Sequence, residues 1–203
     1  MKHIIIPIFL IFVFGQAAIS VRQKLTYYWV VHENEFPIGS DANLNSCSGQ
    51  NLAKSSKTFA NRIALEGSGF LRDETTVLNL GSCISDSRPC KATGGNNYNC
   101  FEKTDAPIGS NDNPLIPYVS IASNDLRFGT TGIVQEFVNK KTPQGETHNG
   151  CVRVDDSCST CNQKDWIDFY ALSEANYEWF DSHWGLSNVN FNAQSCTPLK
   201  YRT

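Results

Sequence analysis

Eight cysteines, Cys47, Cys83, Cys90, Cys100, Cys151, Cys158, Cys161 and Cys196, constrain this chain more than any other feature of its sequence. All of them follow an apolar run at residues 4–14, which is preceded by Lys2 and His3 and followed by the small residues Ala17, Ala18 and Ser20. A short basic start, an apolar stretch of that length and a small-residue site describe a secretory signal peptide. Residues 1–20 are therefore expected to be removed, leaving 21–203 as a single domain. The run is shorter than the ~20 residues a helix needs to cross a bilayer. No second run follows, so a secreted, extracellular protein without membrane association after cleavage is expected.

In an exported chain an even number of cysteines reads as disulfides. The pairing is not legible in the sequence, although short loops make bridges within Cys83/Cys90/Cys100 and within Cys151/Cys158/Cys161 feasible. Cys158-Ser159-Thr160-Cys161 is a C-x-x-C. A redox site of that type belongs at a strand-to-helix junction of an α/β fold, and that context is missing, so a structural disulfide is expected. His148 near Cys151, Cys158 and Cys161 is the one combination that resembles a zinc site, but oxidised cysteines are not ligands, and no metal is expected.

The formal net charge is −3, which argues against nucleic acid as a partner, because phosphate binding needs a basic surface. No G-x-S-x-G and no phosphate-cradling glycine loop is present, and no cofactor is expected. With 40% hydrophobic and 18% charged residues a packed core is expected, and 14 Gly, 8 Pro and a single Met suit a loop-rich β protein better than a helix bundle.

Along the chain, LTYYWVV at 25–31 reads as a strand, residues 33–57 are polar with a weak helical patch at 52–65, and 70–80 read as a hairpin or bent strand. Residues 81–114, with three cysteines, Gly94-Gly95 and many Asn, read as a disulfide-pinned loop region without a core of its own. Further strands are expected at 118–123, 132–138, 151–154 and 166–171, and a short helix at 173–180. In the strand at 166–171 successive side chains point to opposite faces. Ile167 and Phe169 then face the core, while Trp166, Asp168 and Tyr170 share the outer face. A carboxylate between two aromatic rings suits carbohydrate, because rings stack on the apolar faces of sugars and the acid can protonate a glycosidic oxygen. An edge strand with an incidental acid gives the same pattern.

Several segments, in order, resemble the 3D domain, named for three aspartates, of MltA-like lytic transglycosylases and related bacterial cell-wall proteins. Thr26-Tyr27-Tyr28 is similar to that family's T-x-Y strand. Ile121-Ala122-Ser123-Asn124-Asp125 to Gly129-Thr130 resembles its I-A-x-D stretch, with the aspartate displaced by one and the proline missing. Asp156-Ser157, or Asp155 one residue earlier, stands where the family has D-T-G, and Cys158 replaces the glycine. Ile167-Asp168-Phe169-Tyr170 resembles its last aspartate strand.

The resemblance implies a mainly β fold: a six-stranded double-psi β-barrel, shared with expansins and some endoglucanases, with disulfide-rich loop insertions and a short C-terminal helix. It also implies Asp168, Asp156 and Asp125 as catalytic-site aspartates, Asp168 being the reacting one. Tyr28, Trp166, Tyr170, Asp155 and His148 are the expected substrate-binding residues. The partner implied is a polysaccharide, peptidoglycan or another cell-wall glycan, bound by a monomer. A lytic transglycosylase needs one carboxyl group, which protonates the leaving oxygen and then takes the proton of the sugar's own C6 hydroxyl as that oxygen attacks C1; hydrolysis needs a second carboxylate. A carbohydrate-binding protein of expansin type, and an exported effector or inhibitor that keeps only the fold, are the other functions this resemblance admits.

Overall fold

The computed structural model describes residues 20–84 and 89–203; the expected signal peptide lies outside them except for Ser20. The first half of the chain comprises β1 (Ser20–Tyr28), β2 (Val31–His32), β3 (Ala42–Ser46), β4 (Asn51–Ser55), α1 (Lys57–Glu66), β5 (Ser68–Phe70), β6 (Val77–Leu80) and β7 (Asn97–Thr104). The second half adds β8 (Ser120–Ala122), β9 (Thr131–Val134), β10 (Cys151–Asp156), β11 (Trp166–Tyr170), α2 (Glu174–Trp184) and β12 (Asn188–Ala193). Among the described residues no helix is long and apolar enough to cross a membrane.

Six strands close the expected barrel in the order β1-β11-β8-β10-β9-β12. Its interior is filled by side chains that alternate inward, among them Leu25, Ile121, Val152, Val154, Ile167, Phe169 and Phe191, all buried. Full burial of each large apolar side chain contributes about 1.5–3 kcal/mol. β12 is absent from the sequence expectations: its Asn residues at 188, 190 and 192 read as loop, yet Val189 and Phe191 between them reach the core. α2 begins at Ser173, whose side chain accepts a hydrogen bond from the Asn176 backbone N–H at 3.3 Å, and ends at Gly185 in the left-handed region. It buries Phe180 and Trp184 against the barrel.

The segment between β1 and β8 departs from expectation. It is a second six-stranded sheet, β2-β5-β6-β7-β3-β4, with a core of its own built from Val31, Leu44, Phe59, Ile63, Leu78, Tyr98 and Phe101. The expectation of coreless loops over 81–114 is thus corrected, because β7 lies inside this sheet. Its asparagines mimic turn residues in the sequence, but here they pair across strands. Asn43 Nδ2 donates to Asn97 Oδ1 and Asn45 Nδ2 to Asn99 Oδ1, each at 2.8 Å, and Asn51 Nδ2 donates to Asn45 Oδ1 at 2.9 Å. In-register cross-strand pairs stabilise a sheet much as i,i+4 pairs stabilise a helix.

Four disulfides pin the two sheets: Cys47–Cys83, Cys90–Cys100, Cys151–Cys196 and Cys158–Cys161. Two fall within the cysteine groups expected from loop length, and the other two join distant segments.

Candidate active site

β1 and β11 run parallel, with Lys24 opposite Trp166, Thr26 opposite Asp168 and Tyr28 opposite Tyr170. Because each strand has period 2, these six residues stand on one face in two adjacent columns, turned away from the barrel interior. The register supplies the first hydrogen bonds of the site. Thr26 Oγ1 donates to Asp168 Oδ1 at 2.7 Å, and Trp166 Nε1 donates to Thr26 Oγ1 at 2.7 Å. The indole therefore fixes the threonine hydroxyl, and the hydroxyl fixes the carboxyl. The other oxygen, Oδ2, lies 4.0 Å from the Sγ of Cys158, a disulfide sulfur with no proton to donate.

Asp168 lines a cleft of about 500 Å³ between the barrel and the second sheet. From the barrel come Tyr28, Asp156, Asp168 and the Cys158–Cys161 loop, and from the facing sheet Glu66, Glu102 and the segment 108–112. Burial pushes the Asp168 carboxyl up to about 7; the charge of Asp156 adds to this, while the Thr26 hydrogen bond and Lys24 hold it back. Asp168 makes no ion pair among the described residues.

A β-bulge decides between the two adjacent aspartates. β10 pairs with β8 through Arg153/Ser120, Val154/Ile121 and then Asp156/Ala122, so Asp155 is the extra residue. A bulge re-aims the side chains that follow it. Asp155 stays with Arg153 and Ser120, on the face opposite the core residues Val154 and Ile121; it is 3% exposed and is held by Arg153 Nε at 2.6 Å and by the Ser120 hydroxyl at 2.5 Å. Asp156 turns into the cleft, where Oδ1 accepts from the Ser110 backbone N–H at 2.9 Å, the Ser110 hydroxyl at 2.5 Å and the Ser157 N–H at 2.8 Å. Burial raises the Asp156 carboxyl, and those three hydrogen bonds oppose the rise. The Ser110 loop reaches Asp156 because Gly109 lies against the Asp155 carbonyl, where any Cβ would overlap it.

The remaining expected site residues are distributed differently. Asp125 is exposed and outside the cleft lining; its Oδ2 accepts from the Asp165 N–H at 2.7 Å, which ties its loop to the start of β11. Tyr28 lines the cleft. Tyr170 is 2% exposed beneath Tyr28, with ring centroids 5.2 Å apart, and Trp166 carries the Lys24 ammonium 3.3 Å over its face, so neither ring is an open sugar platform. His148 is fully buried in the barrel core rather than in the cleft: its Nε2 donates to the Tyr118 carbonyl, its Nδ1 accepts from the Gly150 N–H, and burial lowers it to about 4.

Sequence reasoning missed Glu66, the last residue of α1, which faces the cleft from the opposite wall. Burial pushes its carboxyl up to about 7, against the hydrogen bond from Arg62 and with the charge of Asp168. No local pattern marks it, since it enters the site only through the docking of the second sheet.

No protein-family model matches the chain, and no curated protein matches it in sequence. Among solved structures it is similar to Escherichia coli MltA with bound chitohexaose: 13% identity over 87% of this chain and 72% of that one, with a TM-score of 0.56. It also matches a membrane-bound lytic murein transglycosylase from Agrobacterium tumefaciens, at 14% identity over 71% and 52% of the two chains and a TM-score of 0.47. For the lytic transglycosylase LtgG of Burkholderia pseudomallei the values are 14%, 85%, 70% and 0.42. The likeness to the first is one of fold: this chain has the fold of a solved lytic transglycosylase.

Proposed function

We propose that this chain is a secreted enzyme that cleaves a cell-wall glycan, peptidoglycan or a related polymer, by the lytic transglycosylase route, with Asp168 as the single acid and base. The observation that carries the proposal is a carboxyl group pushed up to about 7, oriented by Thr26 and opening on a cleft of about 500 Å³. A group with that value is part acid and part base near neutral pH, the condition for efficient transfer in both directions.

The protonated Asp168 gives its proton to the glycosidic oxygen as the bond to C1 breaks, and positive charge grows on the ring. Thr26 holds Oδ1 through its hydrogen bond, which leaves Oδ2 as the oxygen that carries the proton. The resulting carboxylate then accepts the proton of the C6 hydroxyl as that oxygen bonds to C1. The product is a 1,6-anhydro sugar, no water is consumed, and Asp168 is protonated again. Asp156 assists through its charge, which favours the protonated form of Asp168. Export is supported by eight paired cysteines, which persist in oxidising compartments.

The test is release of soluble fragments from insoluble peptidoglycan by the wild type and by Asp168→Asn. Loss of release with the variant, and anhydro ends on wild-type fragments by mass spectrometry, are expected. Unchanged release by the variant removes Asp168 from the reaction. Hydrolysed ends assign the second step to water, with Asp156 or Glu66 as the base.

A further inference from the structure

Cys158–Cys161 closes the shortest of the four disulfide loops, with a sequence separation of 3 against 10, 36 and 45 for the others. The loop-closure gain of a disulfide grows with loop length, so this bridge constrains the unfolded chain least. Its loop is also closed without it. Asn124 Oδ1 accepts from the Cys158 backbone N–H at 3.0 Å, and Asn124 Nδ2 donates to the carbonyls of Cys158 and Cys161 at 2.8 and 3.3 Å. The Cys161 N–H donates to the Cys158 carbonyl at 3.3 Å. Chain stability therefore explains little of the bridge, and its position explains more.

Both cysteines are buried in an apolar patch with Tyr28, Val30, Ala122 and Tyr170, on the side of the barrel that carries Asp168. Cys158 lines the cleft, and its Sγ stands 4.0 Å from Asp168 Oδ2. The two oxygens of the carboxyl thus have different surroundings. Oδ1 accepts the Thr26 hydroxyl, while among the described residues no N–H or O–H donates to Oδ2. A donor at Oδ2 would favour the charged form and draw the carboxyl down. An oxidised sulfur cannot donate, and it keeps water from the side it covers.

We propose that the Cys158–Cys161 disulfide is a positioning group for Asp168: it covers Oδ2 with an apolar surface that has no proton to donate, and so keeps the carboxyl proton on that oxygen until a glycosidic oxygen takes it. The inference rests on the glycan-cleaving reading above and adds the disulfide to its machinery. The other titratable groups that face the carboxyl are Lys24 and Tyr28 from β1, Asp156 from β10 and Glu66 from α1, while β8 places Ala122 opposite it. Burial is the largest influence on the carboxyl, ahead of the charges of Asp156 and Lys24, and the disulfide supplies part of that burial.

The experiment is a carbon-13 NMR titration of the aspartate carboxyls, with the Asp168 signal identified by its loss in Asp168→Asn. The full chain is compared with three double variants: Cys158→Ser with Cys161→Ser, Cys158→Ala with Cys161→Ala, and Cys151→Ala with Cys196→Ala. The serine pair puts an O–H beside Oδ2, and the alanine pair removes the cover. Each should lower the Asp168 midpoint by about one unit or more. The Cys151/Cys196 variant should lose stability and keep the wild-type midpoint, and a bridge of purely structural role would give that same result at Cys158–Cys161. In fragment release from peptidoglycan, one unit makes the serine pair up to about tenfold slower than wild type at pH 8 and nearly equal to it at pH 5. An unchanged midpoint in the serine and alanine pairs overturns the inference and leaves the glycan reading standing. Should one pair fail to fold, the other carries the test; failure of both shows that the fold itself needs the bridge and overturns the inference. Lowered midpoints without fragment release by the wild type at any pH uphold the hold of the disulfide on the carboxyl and overturn the glycan reading. An ordinary carboxylate midpoint in the wild type overturns both.

Discussion

Replacing Asp168 by Asn should stabilise the protein at alkaline pH while abolishing the proposed activity. In the folded chain the carboxyl titrates at about 7 against an ordinary 3.8, with burial as the main cause. The folded state therefore holds a proton that the unfolded chain releases, and stability falls as pH rises from about 4 to about 7. The rise is roughly three pH units at about 1.4 kcal/mol each, an upper limit of about 4 kcal/mol. Asp168 is only half-buried, and water screens part of the penalty, so about 2 kcal/mol is expected. Asparagine keeps an oxygen to accept the Thr26 hydrogen bond and cannot ionise, so the variant is relieved of the whole penalty. Urea or thermal unfolding, with the disulfides intact, is measured at pH 8 and at a pH of about 3.5. For a chain of this size about 2 kcal/mol corresponds to a melting temperature about 4–8 °C higher at pH 8, with little change at the lower pH. An equal effect at both values, or no gain at pH 8, would show that the carboxyl is not raised, and the acid-base role assigned to it would lose its physical basis.

Asp156→Asn removes a charge that favours the protonated form of Asp168. The alkaline limb of the pH–rate profile should move to lower pH by up to about one unit, read from fragment release across pH 5–9. Gly132→Ala places a methyl group into the Phe191 ring inside the barrel; overpacking of this kind should cost about 1–3 kcal/mol in urea unfolding. Replacing both Cys151 and Cys196 by Ala opens a link across 45 residues that ties β10 to the segment after β12, and should lower stability by about 4 kcal/mol in the same assay.

The sequence was most informative where local rules decide the outcome. The period of two in β11 set Asp168 on the face opposite Ile167 and Phe169, and those two are indeed fully buried. Ser173 marked the start of α2 because a hydroxyl there satisfies a free backbone N–H. The even cysteine count marked a cross-linked chain before any pairing was known.

What remained hidden depends on segments far apart in the chain. Asparagine-rich strands look like turns until they meet their partners, and β7 pairs with β3 across more than 50 residues. The choice of Asp156 over Asp155 follows from one extra residue in β10 relative to β8. His148 is drawn into the core by the Tyr118 carbonyl, 30 residues away. Glu66 joins the site only because a helix of the second sheet docks across the cleft. Spacing and periodicity report the direction of a side chain relative to its own strand or helix. Burial, the pKa values that follow from it and the charge of a cleft depend on which surfaces come together, and that is fixed only when the two sheets meet.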